Sequence, residues 1–262
     1  MGKLKMSNLT VSNSTLMLGF VLVLVALVIG YIEKLHIDKD IIIGVIRAIV
    51  QLSIVGYVLK YVIKANDNWL TLACFLIIVV NASWNAGKRG NGIPKAFQSS
   101  LLAIFVGTTI TLATLVLTGS SKFVPEQIVP VTGMIASNIM VAIGLCYRNM
   151  KQTYTDRHQQ VLEKLALGAD IKLASLDILR DSIKSGMQPT IDSIKTLGLV
   201  SLPGMMSGLI FAGVDPVKAI KYQIMVTFML LASTSIGSII SCYLGYKQFF
   251  NERKQLNNEL IS

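Results

Sequence analysis

The chain has 262 residues, of which 53% are hydrophobic and only 15% charged, with a formal net charge of +10. A soluble domain carries about a quarter charged residues, and here the apolar residues form runs long enough for a helix to cross about 30 Å of hydrocarbon. Composition therefore excludes a soluble globular protein and points to an all-α, polytopic membrane protein. The basic residues flank the apolar runs, as membrane topology demands, so the charge gives no reason to invoke nucleic acid. Cys74, Cys146 and Cys242 lie in or beside three separate spans without a CxxC pair, and read as free thiols.

In chain order, Lys3 and Lys5 precede an apolar run from Leu16 to Ile32. That run is longer than a signal core and lacks a small-x-small cleavage site, so it is expected to stay as a first span. About seven spans are expected within a single domain, at 15–32, 41–63, 69–84, 97–118, 127–147, 194–213 and 222–246. One side of this arrangement collects Lys34, Lys39, Lys88, Arg89, Lys95, Arg148 and the basic residues of 148–193, against Lys3, Lys5, Lys60, Lys64, Lys122, Lys218 and Lys221 on the other. The positive-inside rule then places the N-terminus outside and the C-terminus in the cytoplasm of a cell-membrane protein.

The polar stretch 148–193 becomes a cytoplasmic loop with helical periodicity. Leu176, Leu179, Ile183 and Met187 recur at spacings of three and four, and Gly186 and Pro189 are expected to end the pattern. A shorter helix carrying Val161, Leu162 and Leu165 stops near Gly168. Two readings stay open: a pair of helices lying on the membrane surface, or a docking face for a soluble subunit.

Polar and small residues inside the spans are few enough to weigh singly. Arg47 lies about two turns into the second span with Gln51 one turn further on, and either snorkels or lines a pathway. Asn81 and Asn85 are expected to cap the third span, and Asn138 sits one turn beyond Met134 in the fifth. Ser201, Gly204, Gly208 and Ala212 share a face of the sixth span, with a GxxxG beside Pro203. Small faces let membrane helices approach closely, and Pro203, Gly204 and Gly208 are a candidate hinge. Met134, Met140, Met205 and Met206 raise a metal question. Thioethers suit soft ions, and methionine is equally a filler of irregular cores. There is no catalytic constellation and no GxxxxGK[ST] phosphate loop, so no enzyme activity, cofactor or nucleotide site of its own is expected.

The run PTIDSIKTLGLVSLPGMMSGLIFAGVDPVKAIKYQIMV, preceded by LEKLALGAD, resembles the FetB-type permeases of ATP-binding-cassette iron exporters, a family that includes plant permeases linked to aluminium tolerance. Arg47, Gln51, Pro130, Gly133, Met134 and Asn138 fit the same pattern. The resemblance implies a single permease domain over 1–262, a separate cytoplasmic ABC ATPase, a permease homodimer and metal-related export, most often of iron. Glu163 to Ala169 looks like a degenerate EAA loop, but Glu163 stands closer to Gly168 than that pattern has it. On this reading Arg47, Gln51, Met134, Asn138, Met205 and Met206 line the pathway, and Glu163, Gly168, Leu176, Leu179 and Ile183 couple to the ATPase. The rival readings are an ion-gradient-driven secondary transporter and a non-transporting membrane scaffold.

Overall fold

The computed structural model describes residues 13–65, 67–90, 92–257 and 260; Lys3 and Lys5 lie outside them. The helices are α1 (Asn13–Ile32), α2 (Asp38–Ala65), α3 (Asn68–Arg89), α4 (Ala96–Leu117), α5 (Pro125–Asp156), α6 (His158–Ala166), α7 (Ile171–Thr196), α8 (Gly204–Phe211) and α9 (Pro216–Gly245). Their ends follow from local chemistry. Asp67 caps α3 by accepting from Trp69 N at 2.9 Å. Asp215 caps α9 by accepting from Lys218 N at 3.2 Å, with Pro216 in the first helical position, where its missing N–H costs nothing.

Among the described residues five helices are long and apolar enough to cross a membrane: α2, α3, α4, α5 and the run from Pro216 to Phe249. The apolar part of α1, Met17–Ile32, is shorter. The expected sixth span, 194–213, is not a continuous helix. Chain continues as α7 to Thr196, breaks over 197–203, and resumes as the eight residues of α8, which rise only ~12 Å at about 1.5 Å per residue. Backbone chemistry accounts for the break. Gly198 adopts φ +79°, Pro203 has no N–H to extend a helix, and Thr196 O accepts from the amides of Leu199, Val200 and Ser201.

The stretch 148–193 is likewise not a free loop. Residues 148–156 prolong α5, and α7 returns along α5 and α9. Pro189 does not stop α7, because a helix packed on two neighbours survives the loss of one hydrogen bond. Gly186 is the reason α7 can lie so close. A Cβ there would collide with Cys146 Sγ and sit 2.9 Å from Ala142 O. The elbow between α6 and α7 forms where Gly168 takes φ +90° and donates to Leu165 O.

The core is built by α3, α4, α5, α7 and α9 around Ile104, Ile135, Ile139 and Ile143, all fully buried. Small residues set its tightness. A Cβ on Gly107 would lie 2.9 Å from Ile139 Cδ1, and one on Gly237 would overlap the same side chain. At the α6 end, Tyr154 stacks on Phe249 with ring centroids 4.4 Å apart. The α1–α2 hairpin stands apart from this core. Of α2 only Val62 is buried.

Candidate functional site

The interrupted helix opens onto a cavity of about 310 Å³ between α5, α7, α8 and α9. Irregular backbone is tolerated at membrane depth only where it is buried in protein or lines a cavity. Leu197 at the end of α7 and Pro203, Gly204 and Met205 at the start of α8 form one wall; Met134 and Asn138 of α5 and Gln223 and Thr227 of α9 form others. The break therefore brings a negative helix end and a positive one to the same space.

The polar atoms here are neutral. Asn138 donates from Nδ2 to Met134 O at 2.8 Å, which leaves its Oδ1 as an open acceptor. Thr227 turns its hydroxyl to Gln223 O at 2.9 Å. Gln223 Oε1 is buried with no hydrogen-bond partner, an arrangement that costs about 1–3 kcal/mol. Pro189 of α7, also in the lining, leaves the carbonyl of Ser185 without its helical donor. No group of three or more His, Cys, Asp or Glu that could hold a metal exists among the described residues. The cavity thus offers carbonyl-type oxygens and thioethers without a fixed charge, which suits transient contact better than permanent capture.

Sequence-expected residues divide between three places. Met134, Asn138 and Met205 line this cavity. Arg47 and Gln51 line a separate groove of about 770 Å³ across α5, between α2, α3 and α5. Met206 is buried, 6% exposed, outside both linings. Asn85 does not cap α3. It lies inside that helix and donates to Asn81 O and Oδ1, both at 2.9 Å. Pro203 and Gly204 do flank the break, whereas a Cβ on Gly204 or Gly208 would meet no atom within 4 Å, so the GxxxG face makes no close packing within the chain. Gln223 escaped the sequence reading, although a lone amide in an apolar run was a usable signal.

The α6–α7 arm connects to this cavity through α7. Arg157 pairs with Asp181 and Lys164 with Asp177, each at 2.9 Å, and Ser182 donates to Asn149 Oδ1 at 3.2 Å. The Lys164 ammonium, donating to Asp177, holds that carboxyl below the usual carboxylate range. Glu163 and Gly168 are exposed on the elbow, Leu176 is half-buried, Ile183 packs on the core and Leu179 is fully buried.

These features define a multi-pass helical membrane protein with a discontinuous helix and a polar cavity at the break. Residues 13–250 match the family described as "Uncharacterised protein family (UPF0014)", and the chain belongs to it. It is 57% identical to the protein named "Probable iron export permease protein FetB" of Escherichia coli (strain K12), over 96% of this chain and 97% of that one. It is 34% identical to "Protein ALUMINUM SENSITIVE 3" of Arabidopsis thaliana, over 93% of this chain and 89% of that one. It is 33% identical to "UPF0014 membrane protein YjkA" of Bacillus subtilis (strain 168), over 92% and 97%. No solved structure matches it.

Proposed function

We propose that this chain is the permease subunit of an ATP-driven exporter of iron or a related metal, working as a homodimer with a separate cytoplasmic ATPase. The observation that carries the reading is the break between α7 and α8, because one continuous helix joins an exposed charged arm to the wall of a polar cavity. Movement of the α6–α7 arm by a nucleotide-driven partner would shift that wall. Likeness to the relative named as an iron export permease supports the cargo, and the sequence's lack of a phosphate loop supports ATP hydrolysis by another chain. The excess of Lys and Arg on the α6 end favours a cytoplasmic location for it, with the C-terminus inside and the N-terminus outside.

Within the cavity, an Fe(II) cargo would prefer oxygen donors, so Asn138 Oδ1 and, once its buried side chain turns toward the passage, Gln223 Oε1 are the contacts on this reading. Met134 and Met205 shape the passage, and Pro203 and Gly204 form the hinge. Arg47, Gln51 and Met206 lie off this route. A discontinuous helix is also a feature of gradient-driven secondary transporters, which is the one observation favouring that alternative. The discriminating experiment is ATP hydrolysis by the purified chain with its candidate ATPase in lipid. A stable complex whose hydrolysis rises with Fe(II) supports the proposal; transport without nucleotide or partner moves the assignment to a secondary transporter.

A further inference from the structure

We infer that the groove between α2, α3 and α5 is a binding site for an anionic phospholipid, with Arg47 at the phosphate. This site is separate from the proposed passage and does not depend on it. Arg47 sits inside an apolar helix of 28 residues, about 14 Å from its start at 1.5 Å per residue, and makes no ion pair among the described residues. Its nearest acids along α2 are Asp40 and Asp38, seven and nine residues back, or about two turns or more. An unpaired guanidinium at that depth is costly unless it finds an anion.

The rest of the groove says which anion. Gln51 and Asn81 line it beside Arg47. Asn81 is held through its acceptors, since Asn85 Nδ2 donates to both Asn81 O and Asn81 Oδ1, leaving Asn81 Nδ2 as a spare donor. Asn85 and Ser137 share the lining, so one guanidinium and several neutral polar groups face the same groove. Leu52, Ile54, Val55, Ile78 and Met140 supply its apolar lining. A polar pocket continuous with an apolar slot matches a headgroup with its acyl chain and wastes the slot on a free anion. The groove also opens sideways into lipid, because α2 buries only Val62. It lies toward the end of α3 that carries Lys88 and Arg89, where a basic surface draws acidic headgroups.

A second copy of the chain is a poorer occupant. The sequence has no Asp or Glu between Asp40 and Asp67, between Asp67 and Glu126, between Glu126 and Asp156, or between Asp215 and Glu252. The interiors of a copy's five membrane-length helices therefore bring no carboxylate to Arg47; the acids between Asp156 and Asp215 lie on or beside α6 and α7, where Asp192 is already paired with Lys195 at 3.4 Å.

The test is native mass spectrometry of the full chain titrated with phosphatidylglycerol and, separately, phosphatidylcholine. The wild type should take phosphatidylglycerol preferentially. Arg47→Gln should weaken that binding about fivefold, the factor for about 1 kcal/mol per basic residue at an anionic surface, and leave phosphatidylcholine unchanged. Asn81→Leu keeps the charge and should weaken phosphatidylglycerol by a smaller factor. Lys64→Gln at the other end of α2 should not matter. Equal affinity of wild type and Arg47→Gln, displacement of the lipid by inorganic phosphate, or loss of an oligomer in Arg47→Gln would each overturn the assignment.

Discussion

Replacing Gly186 by Ala tests whether α7 truly lies against α5 and α9. The added methyl would collide with Cys146 Sγ and stand 2.9 Å from Ala142 O and 3.1 Å from Ser238 Oγ. Two of those neighbours are side chains that can turn; the carbonyl of Ala142 belongs to a helix backbone and cannot. Overpacking of this kind costs about 1–3 kcal/mol. At roughly 2–4 °C per kcal/mol for a chain of this size, the midpoint of thermal unfolding should fall by roughly 2–12 °C. Gly208→Ala is the matched control, since its methyl meets nothing within 4 Å and helix propensity alone favours it by about 1 kcal/mol. Cys146→Ala combined with Gly186→Ala should recover part of the loss. The assay is thermal unfolding of the purified protein in one detergent, followed by circular dichroism. An unchanged midpoint in Gly186→Ala, or a larger loss in Gly208→Ala, would refute the packing of α7 and return the GxxxG face to a close contact.

Three further outcomes are expected. Gln223→Leu removes a buried oxygen without a partner and should raise the unfolding midpoint by the equivalent of about 1–3 kcal/mol while reducing transport, measured on the same preparation. Gly168→Ala forces a Cβ onto a residue at φ +90°, which costs about 1–2 kcal/mol; ATP hydrolysis should then persist while transport per ATP falls. Asp177, whose carboxyl is held low by Lys164, contributes a pairing that is complete above the ordinary carboxylate pKa of about 4 and is lost as pH falls through its lowered value. Spin-label distances between α6 and α7 should therefore stay constant at neutral and mildly acidic pH and broaden only below about pH 4, and Asp177→Asn should abolish that dependence.

Much of this architecture was legible in the sequence, because α2 to α5 and α9 are long apolar runs bounded by charge and by residues such as Asp67 and Asp215 that prefer helix starts. The sixth crossing was legible only in part: Pro203 and Gly204 marked an interruption, but not that it would begin at Leu197 and leave only eight helical residues beyond it. Leu197 to Met206 reads as apolar as any span, and hydropathy records side chains while the break is made by backbone: Gly198 at positive φ and Pro203 without an N–H. Pro189 misled in the opposite direction. Its helix-breaking tendency of about 3 kcal/mol is outweighed by packing of α7 on two neighbours, which local propensity does not contain. At the site, Met134, Asn138 and Met205 were found by residue type and do meet at one cavity. Arg47 and Gln51 were grouped with them because a list of polar residues carries no information on which face of α5 each one reaches.

On the proposed reading, cargo crosses at the cavity where α7 breaks, touching Asn138 and Gln223. The direct measurement is ATP-dependent Fe(II) accumulation in inside-out vesicles containing this chain and the candidate ATPase, comparing wild type with Asn138→Leu and Gln223→Leu. Loss of one oxygen contact to a charged cargo is worth about 1.5–3 kcal/mol, so accumulation at limiting iron should drop about tenfold or more in each variant while the ATPase stays bound. Accumulation at the wild-type rate in both variants, with the complex intact, would contradict the account.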